Sequence, residues 1–328
     1  MRNLFVVLGL FGVLVMQSQA AAQRTLELLH TIPLPHVRGR FDHFAVDVQG
    51  QRLFVAALGN NTLEILDLQG GKRVHSITGL HKPTGVAYLP ESNRIYVANG
   101  DEGTCKVYDG NTFQLLTSIG GLDDADNVRY DAAAQRLFVG YGTGALGIID
   151  VTQNAMLGAI TFKGHPEAFQ LEKQGPRIFV NVPDAKEVTV VDRSTRAVID
   201  HWPLQAYHAN FPMALDEVHH RLFAGGRQPA KLIVLNTDNG KVMADVDIVG
   251  DTDDLFYDAS NQLLYISGGE GFISVVQQVD ANRYTTLEKI PTATGARTSY
   301  FIPDLKRFAV AVPERAGQPA EIRVYRTP

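Results

Sequence analysis

Arg52-Leu53-Phe54-Val55, Arg94-Ile95-Tyr96-Val97 and Arg136-Leu137-Phe138-Val139 are one motif met three times at intervals of 42 residues. It returns as Arg177-Ile178-Phe179-Val180, Arg221-Leu222-Phe223-Ala224, Leu263-Leu264-Tyr265-Ile266 and Arg307-Phe308-Ala309-Val310, at intervals of 41, 44, 42 and 44. Self-similarity at a period in the forties marks a repeat architecture, in which each unit buries its apolar face only against its neighbours.

Outward from each anchor the unit completes itself. A second alternating strand follows, with inward pairs Leu63/Ile65, Cys105/Val107, Leu146/Ile148, Val188/Val190, Leu232/Val234, Ile273/Val275 and Ile322/Val324. Such period-2 alternation is the strand signal. Asp67, Asp109, Asp150, Asp192 and Asn236 then supply turn residues, whose side chains can cap their own backbone. A short strand such as Phe44-Ala45-Val46 or Met213-Ala214-Leu215 precedes the anchor, and a fourth such as Ala197-Val198-Ile199 closes the unit. Four short antiparallel strands repeated seven times, with no helical period between them, predict an all-β, seven-bladed β-propeller of four-stranded blades. The last unit stops at Pro328 without its fourth strand, whereas Thr25 to Leu34 has the fourth-strand pattern and no unit of its own. The N-terminal strand is therefore expected to complete blade seven and close the ring, which removes two exposed edges.

Composition agrees. The chain has 328 residues, 45% apolar, 20% charged, one Cys and a formal charge of -5. These values exclude a disordered chain and a disulfide scaffold, and leave no basic field for nucleic acid. Arg2 precedes a 13-residue apolar run from Leu4 to Met16, and small residues follow to Ala22. This predicts a signal peptide over 1–22 and one exported propeller domain over 23–328, periplasmic or secreted, because the run is too short to span a bilayer. No membrane insertion is expected, and monomer is the default state. Cys105, at an inward strand position, is expected to be a buried structural thiol.

Pro83-Thr84-Gly85-Val86-Ala87-Tyr88-Leu89-Pro90 followed by Arg94-Ile95-Tyr96-Val97-Ala98-Asn99 resembles the repeat of the YVTN-type β-propellers, the group of YncE-like bacterial periplasmic proteins. The resemblance covers the mature chain as periodicity, with blade two nearest the consensus. It implies export and a propeller but no single activity. Blades one, three, five and six replace Pro-x-Gly by Phe41-Asp42-His43, Ala125-Asp126-Asn127, Asn210-Phe211-Pro212 and Thr252-Asp253-Asp254, which points to adaptation for something besides packing. A fold with so many uses leaves function to the site.

In a propeller, the loops entering each first strand gather around one mouth of the central channel. Ten residues before each anchor, with a one-residue deletion in blade four, stand Asp42, Thr84, Asp126, Glu167, Phe211, Asp253 and Arg297; His43, Asn127 and Asp254 adjoin them. Earlier in the same loops come His36, His81, Asp123, Asp124, His165, His208 and Asp251. The expected ligand-binding set is thus Asp42, His43, Asp126, Asn127, Glu167, Asp253, Asp254 and Arg297, on an acidic, imidazole-rich face. Converging His43, His81, His165 and His208 would suit a transition metal, and the carboxylates a hard cation, which makes a divalent ion the cofactor to look for. Arg297 either balances charge or holds an anionic group. His219-His220 belongs to the opposite face, in solvent. Catalytic residues are not identified, since the chain has neither His-Glu-x-x-His nor Gly-x-Ser-x-Gly. The expected function is binding of a small ligand, cation or protein partner at this mouth. The alternative is a lactonase-like, metal-dependent hydrolase or lyase on the same residues.

Overall fold

Each anchor forms the second strand of a four-stranded antiparallel sheet, in a computed structural model that describes residues 25–328. The leader expected over 1–22 lies outside the described residues. Blade one runs Phe44–Asp47, Arg52–Ala57, Thr62–Asp67 and Lys72–Ile77, with consecutive strands hydrogen-bonded. The other six sheets repeat that order, which gives seven blades in a ring, as the period predicted. Among the described residues no helix is long and apolar enough to cross a membrane.

The anchors are continuously apolar, not alternating, because blades stack face to face and bury the middle strands on both sides. Leu53 and Val55 pack with Ala309 and Ile322 of blade seven, while Phe54 packs with Val86 and Ile95 of blade two. All three anchor side chains are 0% exposed. Outer strands such as Lys72–Ile77 are largely exposed and carry the charges. Asp67, Asp109, Asp150 and Asp192 accept hydrogen bonds from the backbone N–H groups two and three residues ahead. Asn236 accepts from Asp238 N. These bonds fix the hairpins locally. Cys105 is fully buried, and burial pushes its thiol up to about 12, which makes it an inert core residue.

Glu27–Leu34 pairs antiparallel with Ala320–Arg326, bringing Ile32 opposite Ile322 and Leu34 opposite Ala320. Blade seven is therefore assembled from both ends of the described chain, and the ring is closed. The first strand of every blade touches the first strands of both neighbours, so the seven together wall a central channel.

Candidate functional site at the channel mouth

A backbone bracket sets the mouth. Asp42 N donates to Ala56 O, and Ala56 N to His43 O; the same pair links Asp126, Gly140 and Asn127, and again Glu167, Asn181 and Ala168. Asp42, Asp126 and Glu167 are thus equivalent positions at the tops of three first strands. Blade two, which keeps Pro-Thr-Gly there, supports its neighbour. Thr84 Oγ1 donates to Ala125 O at 2.7 Å. A Cβ on Gly85 would lie 2.1 Å from Asp126 O, so only glycine allows the Asp126 loop to seat.

The resulting cavity, about 240 Å³, is lined by Asp42, His43, Asp126, Asn127, Glu167, Asp253 and Asp254 together with Arg40, Arg129, Arg227 and Arg297. A second cavity of about 330 Å³ continues from Asp126 and Glu167 to His165, Asp124 and Lys82. Asp126 is shared by two imidazoles. Its Oδ1 lies 3.8 Å from His43 Nε2 and its Oδ2 3.5 Å from His165 Nε2. His43 also meets Asp42 at 3.5 Å through Nε2 and Asp254 at 3.9 Å through Nδ1. His165 Nδ1 donates to Gly142 O at 2.6 Å, which aims Nε2 at the carboxylates. Among the described residues, two groups of His and acidic side chains have ligand atoms within 4.8 Å of one another: Asp42, His43 and Asp126, and Asp126, His165 and Glu167.

So many carboxylates cannot all ionise freely at close quarters. Burial first, then the charges of Asp126 and Asp253, hold Asp42 well above the ordinary carboxylate range. Burial with Asp126 lifts Glu167 to about 8, and burial with Asp253 lifts Asp254 to about 7 against the opposing charge of His43. Asp126 goes the other way. Burial opposes its ionisation, but the His165 hydrogen bond and the charges of His43, His165 and Lys82 outweigh that and keep its pKa low. Burial likewise disfavours charge on His165, yet Asp126 and the Gly142 carbonyl raise it to about 9.

All eight expected ligand-binding residues line the first cavity. Of the four histidines, His43 and His165 flank Asp126, whereas the other two lie apart from both groups. His81 is more than half exposed and faces Glu102 at 3.3 Å. His208 stands at the start of its strand, paired with Gln228. Both sit three residues before the bracket position, whereas His165 sits two before it and is fixed by its bond to Gly142. Arg297 holds Asp251 at 2.8 Å and Asp253 at 3.5 Å. His219 and His220 pair with Asp216 and Asp238, away from these cavities.

Sequence reasoning missed Arg40, Arg129 and Arg227, so the mouth is less purely acidic than expected. Arg40 meets Asp42 at 3.2 Å, and Arg227 meets Asp253 at 2.5 Å while lying 3.9 Å over the Phe211 ring. Arg227 reaches the mouth because its strand, Arg221–Gln228, runs longer than the six-residue second strands of blades one to four. The basic residue directly after Gly225-Gly226 was the available signal.

Fold and mouth together define a closed seven-bladed β-propeller with a charged, ionisable channel entrance. No family model matches the chain. In sequence it is similar to the uncharacterized protein YncE of Salmonella typhimurium and of Salmonella typhi, at 22% identity over 258 residues, 78% of this chain. The match covers 61% of the length of those relatives. Among solved structures it is similar to a chain of the crystal structure of a mitotic checkpoint complex, with TM-score 0.78 and 13% identity over 99% of both chains. It is also similar to hydrazine synthase of Kuenenia stuttgartiensis, with TM-score 0.77 and 15% identity over 89% of this chain and 97% of that one. At such identities the structural likeness is one of fold alone. The fold is thus that of a seven-bladed β-propeller, and the likeness in sequence is to YncE.

Proposed function

We propose that the chain is an exported propeller whose channel mouth binds a divalent cation through Asp126, and holds a small ligand there. One observation carries this reading: His165 is anchored at Nδ1 by the Gly142 carbonyl, with Nε2 turned to Asp126 beside Glu167. A backbone carbonyl on the far nitrogen is the usual outer-shell partner of a metal-binding imidazole. Mixed imidazole and carboxylate donors favour zinc, iron or manganese over calcium. Without a cation the site holds protons instead, on His165 at about 9 and Glu167 at about 8. A cation would displace them and relieve the repulsion among Asp42, Asp126 and Asp253. Export is supported by the apolar run of residues 4–16.

Isothermal titration with Zn²⁺ and Mn²⁺ in buffers of different ionisation enthalpy tests this. Saturable binding with proton release at pH 7 is expected, weakened by at least about tenfold in Asp126→Asn. Unchanged affinity in a folded Asp126→Asn variant contradicts the reading.

The metal-dependent hydrolase is the second reading, favoured by Glu167, which stands beside Asp126 and His165 and, once a cation has displaced its proton, would be a carboxylate placed to take a proton from water that the ion activates. It predicts turnover of a lactone or ester that is lost with chelator, restored by the ion and abolished in Glu167→Gln. Turnover indifferent to chelator contradicts it.

A further inference from the structure

A third cavity, an inner chamber of about 350 Å³, adjoins the mouth and has a different chemistry. Its walls carry Tyr88, Tyr130, Phe256, Tyr300 and Phe301, and Asp254 is its one carboxylate. Arg129 lines both this chamber and the mouth, together with His43, Gln170, Asp254 and Phe256.

Arg129 is incompletely satisfied. Only Nη1 donates, to Asn127 Oδ1 at 2.6 Å and Val128 O at 2.8 Å, and Nε and Nη2 have no partner among the described residues. It makes no salt bridge among those residues, and its guanidinium stands 5.6 Å from the Phe169 ring centre. Burial holds its pKa below the ordinary arginine value. Arg221 shows what a purely structural buried arginine looks like here. It also lacks a carboxylate partner, yet it donates from all three nitrogens, to Ala281 O, to the His219 and His220 carbonyls and to Asn282 Oδ1. Arg129 is half-buried, and its two unused donors are left open to the chamber, where an arriving acceptor can bond both at once.

We propose that the inner chamber is a binding site for a small aromatic monocarboxylate, its carboxylate forked on Nε and Nη2 of Arg129 and its ring among Tyr130, Phe256 and Tyr300. The planar fork of arginine matches a carboxylate with two parallel bonds. Aromatic walls take a flat apolar body by edge and face contact. Asp254, hydrogen-bonded by Ser299 N at 2.7 Å, is the chamber's one carboxylate, and the single guanidinium balances a monoanion but leaves the second charge of a phosphate dianion uncompensated. The site stands apart from the cation reading, because none of its contacts requires a metal.

The test is ligand-detected NMR and calorimetric titration of 4-hydroxybenzoate, acetate and inorganic phosphate, with chelator present throughout so that cation binding at the mouth plays no part. The wild-type protein is expected to bind 4-hydroxybenzoate saturably, with Kd of about 1 mM or tighter and more strongly than acetate or phosphate. Arg129→Gln is expected to weaken this by about tenfold or more, and Arg129→Lys by less, because a lysine keeps the charge but not the fork. Thermal melts establish that each variant is folded, and should Arg129→Gln unfold, the loss in Arg129→Lys carries the test. Equal affinity in a folded Arg129 variant, no saturable binding of 4-hydroxybenzoate by wild type, or a preference for phosphate would each overturn the proposal.

Discussion

Asp126 concentrates the chemistry of the mouth in one side chain, each oxygen facing a different imidazole. Its neighbours fix the pH behaviour. Glu167 and Asp254 bind protons more tightly when folded, at about 8 and about 7 against ordinary values of 4.5 and 3.8. His165 does so at about 9 against 6.5. A group whose folded pKa is raised stabilises the fold fully below its unfolded pKa, and that contribution is lost as pH rises through the folded value. All three act in the same direction, so the cation-free protein should lose stability steadily between roughly pH 5 and 9. Melting temperature measured in chelator across that range checks this; a flat or rising profile contradicts it. Glu167→Gln mimics the protonated acid, and should therefore melt a few degrees above wild type at the alkaline end and near it at the acid end. Equal melting temperatures at the alkaline end would show that Glu167 is not the group being titrated.

Elements explain what could be read in advance and what could not. The anchors were legible because a middle blade strand is buried on both faces, and so is written in consecutive apolar residues. Phe179, 0% exposed against Trp202 and the blade-five core, should cost about 3–5 kcal/mol on replacement by alanine. Leu116, half exposed on an outer strand, should cost within about 0.5 kcal/mol. Denaturant unfolding of the two variants checks the pair, and comparable losses would refute the two-faced burial of the anchors. The bracket positions were legible too, since the count back from each anchor follows a fixed hairpin. Which side chains turn inward was not. His81 and His165 stand in corresponding loops, three and two residues before the bracket position, and the bond to the Gly142 carbonyl that holds His165 in place comes from a contact that spacing does not show. Arg227 depended on the length of one strand, and the support of Asp126 by Thr84 and Gly85 crosses from blade to blade. Gly85→Ala should cost about 1–3 kcal/mol and weaken cation affinity by shifting the Asp126 loop. Titration of the folded variant checks this, and wild-type affinity would show that the loop is held by other contacts.

At the scale of the whole molecule, closure makes the site possible, because seven loops from distant sequence meet only if the ring is complete. Ile32 and Leu34 are 0% exposed, and their strand covers the edge formed by Ala320–Arg326. A chain beginning at Pro35 should melt lower and associate through that bared edge. Size-exclusion chromatography and thermal melts check this, and a monomer with unchanged melting temperature contradicts it. The central claim, a cation held at the mouth by Asp126, is tested most directly by elemental analysis of protein purified without chelator or histidine tag, beside Asp126→Asn. The account predicts about one divalent metal per wild-type chain and its loss from a variant of unchanged circular dichroism. Folded wild-type protein that carries no metal and takes up none when it is added, or equal metal in both proteins, would contradict it.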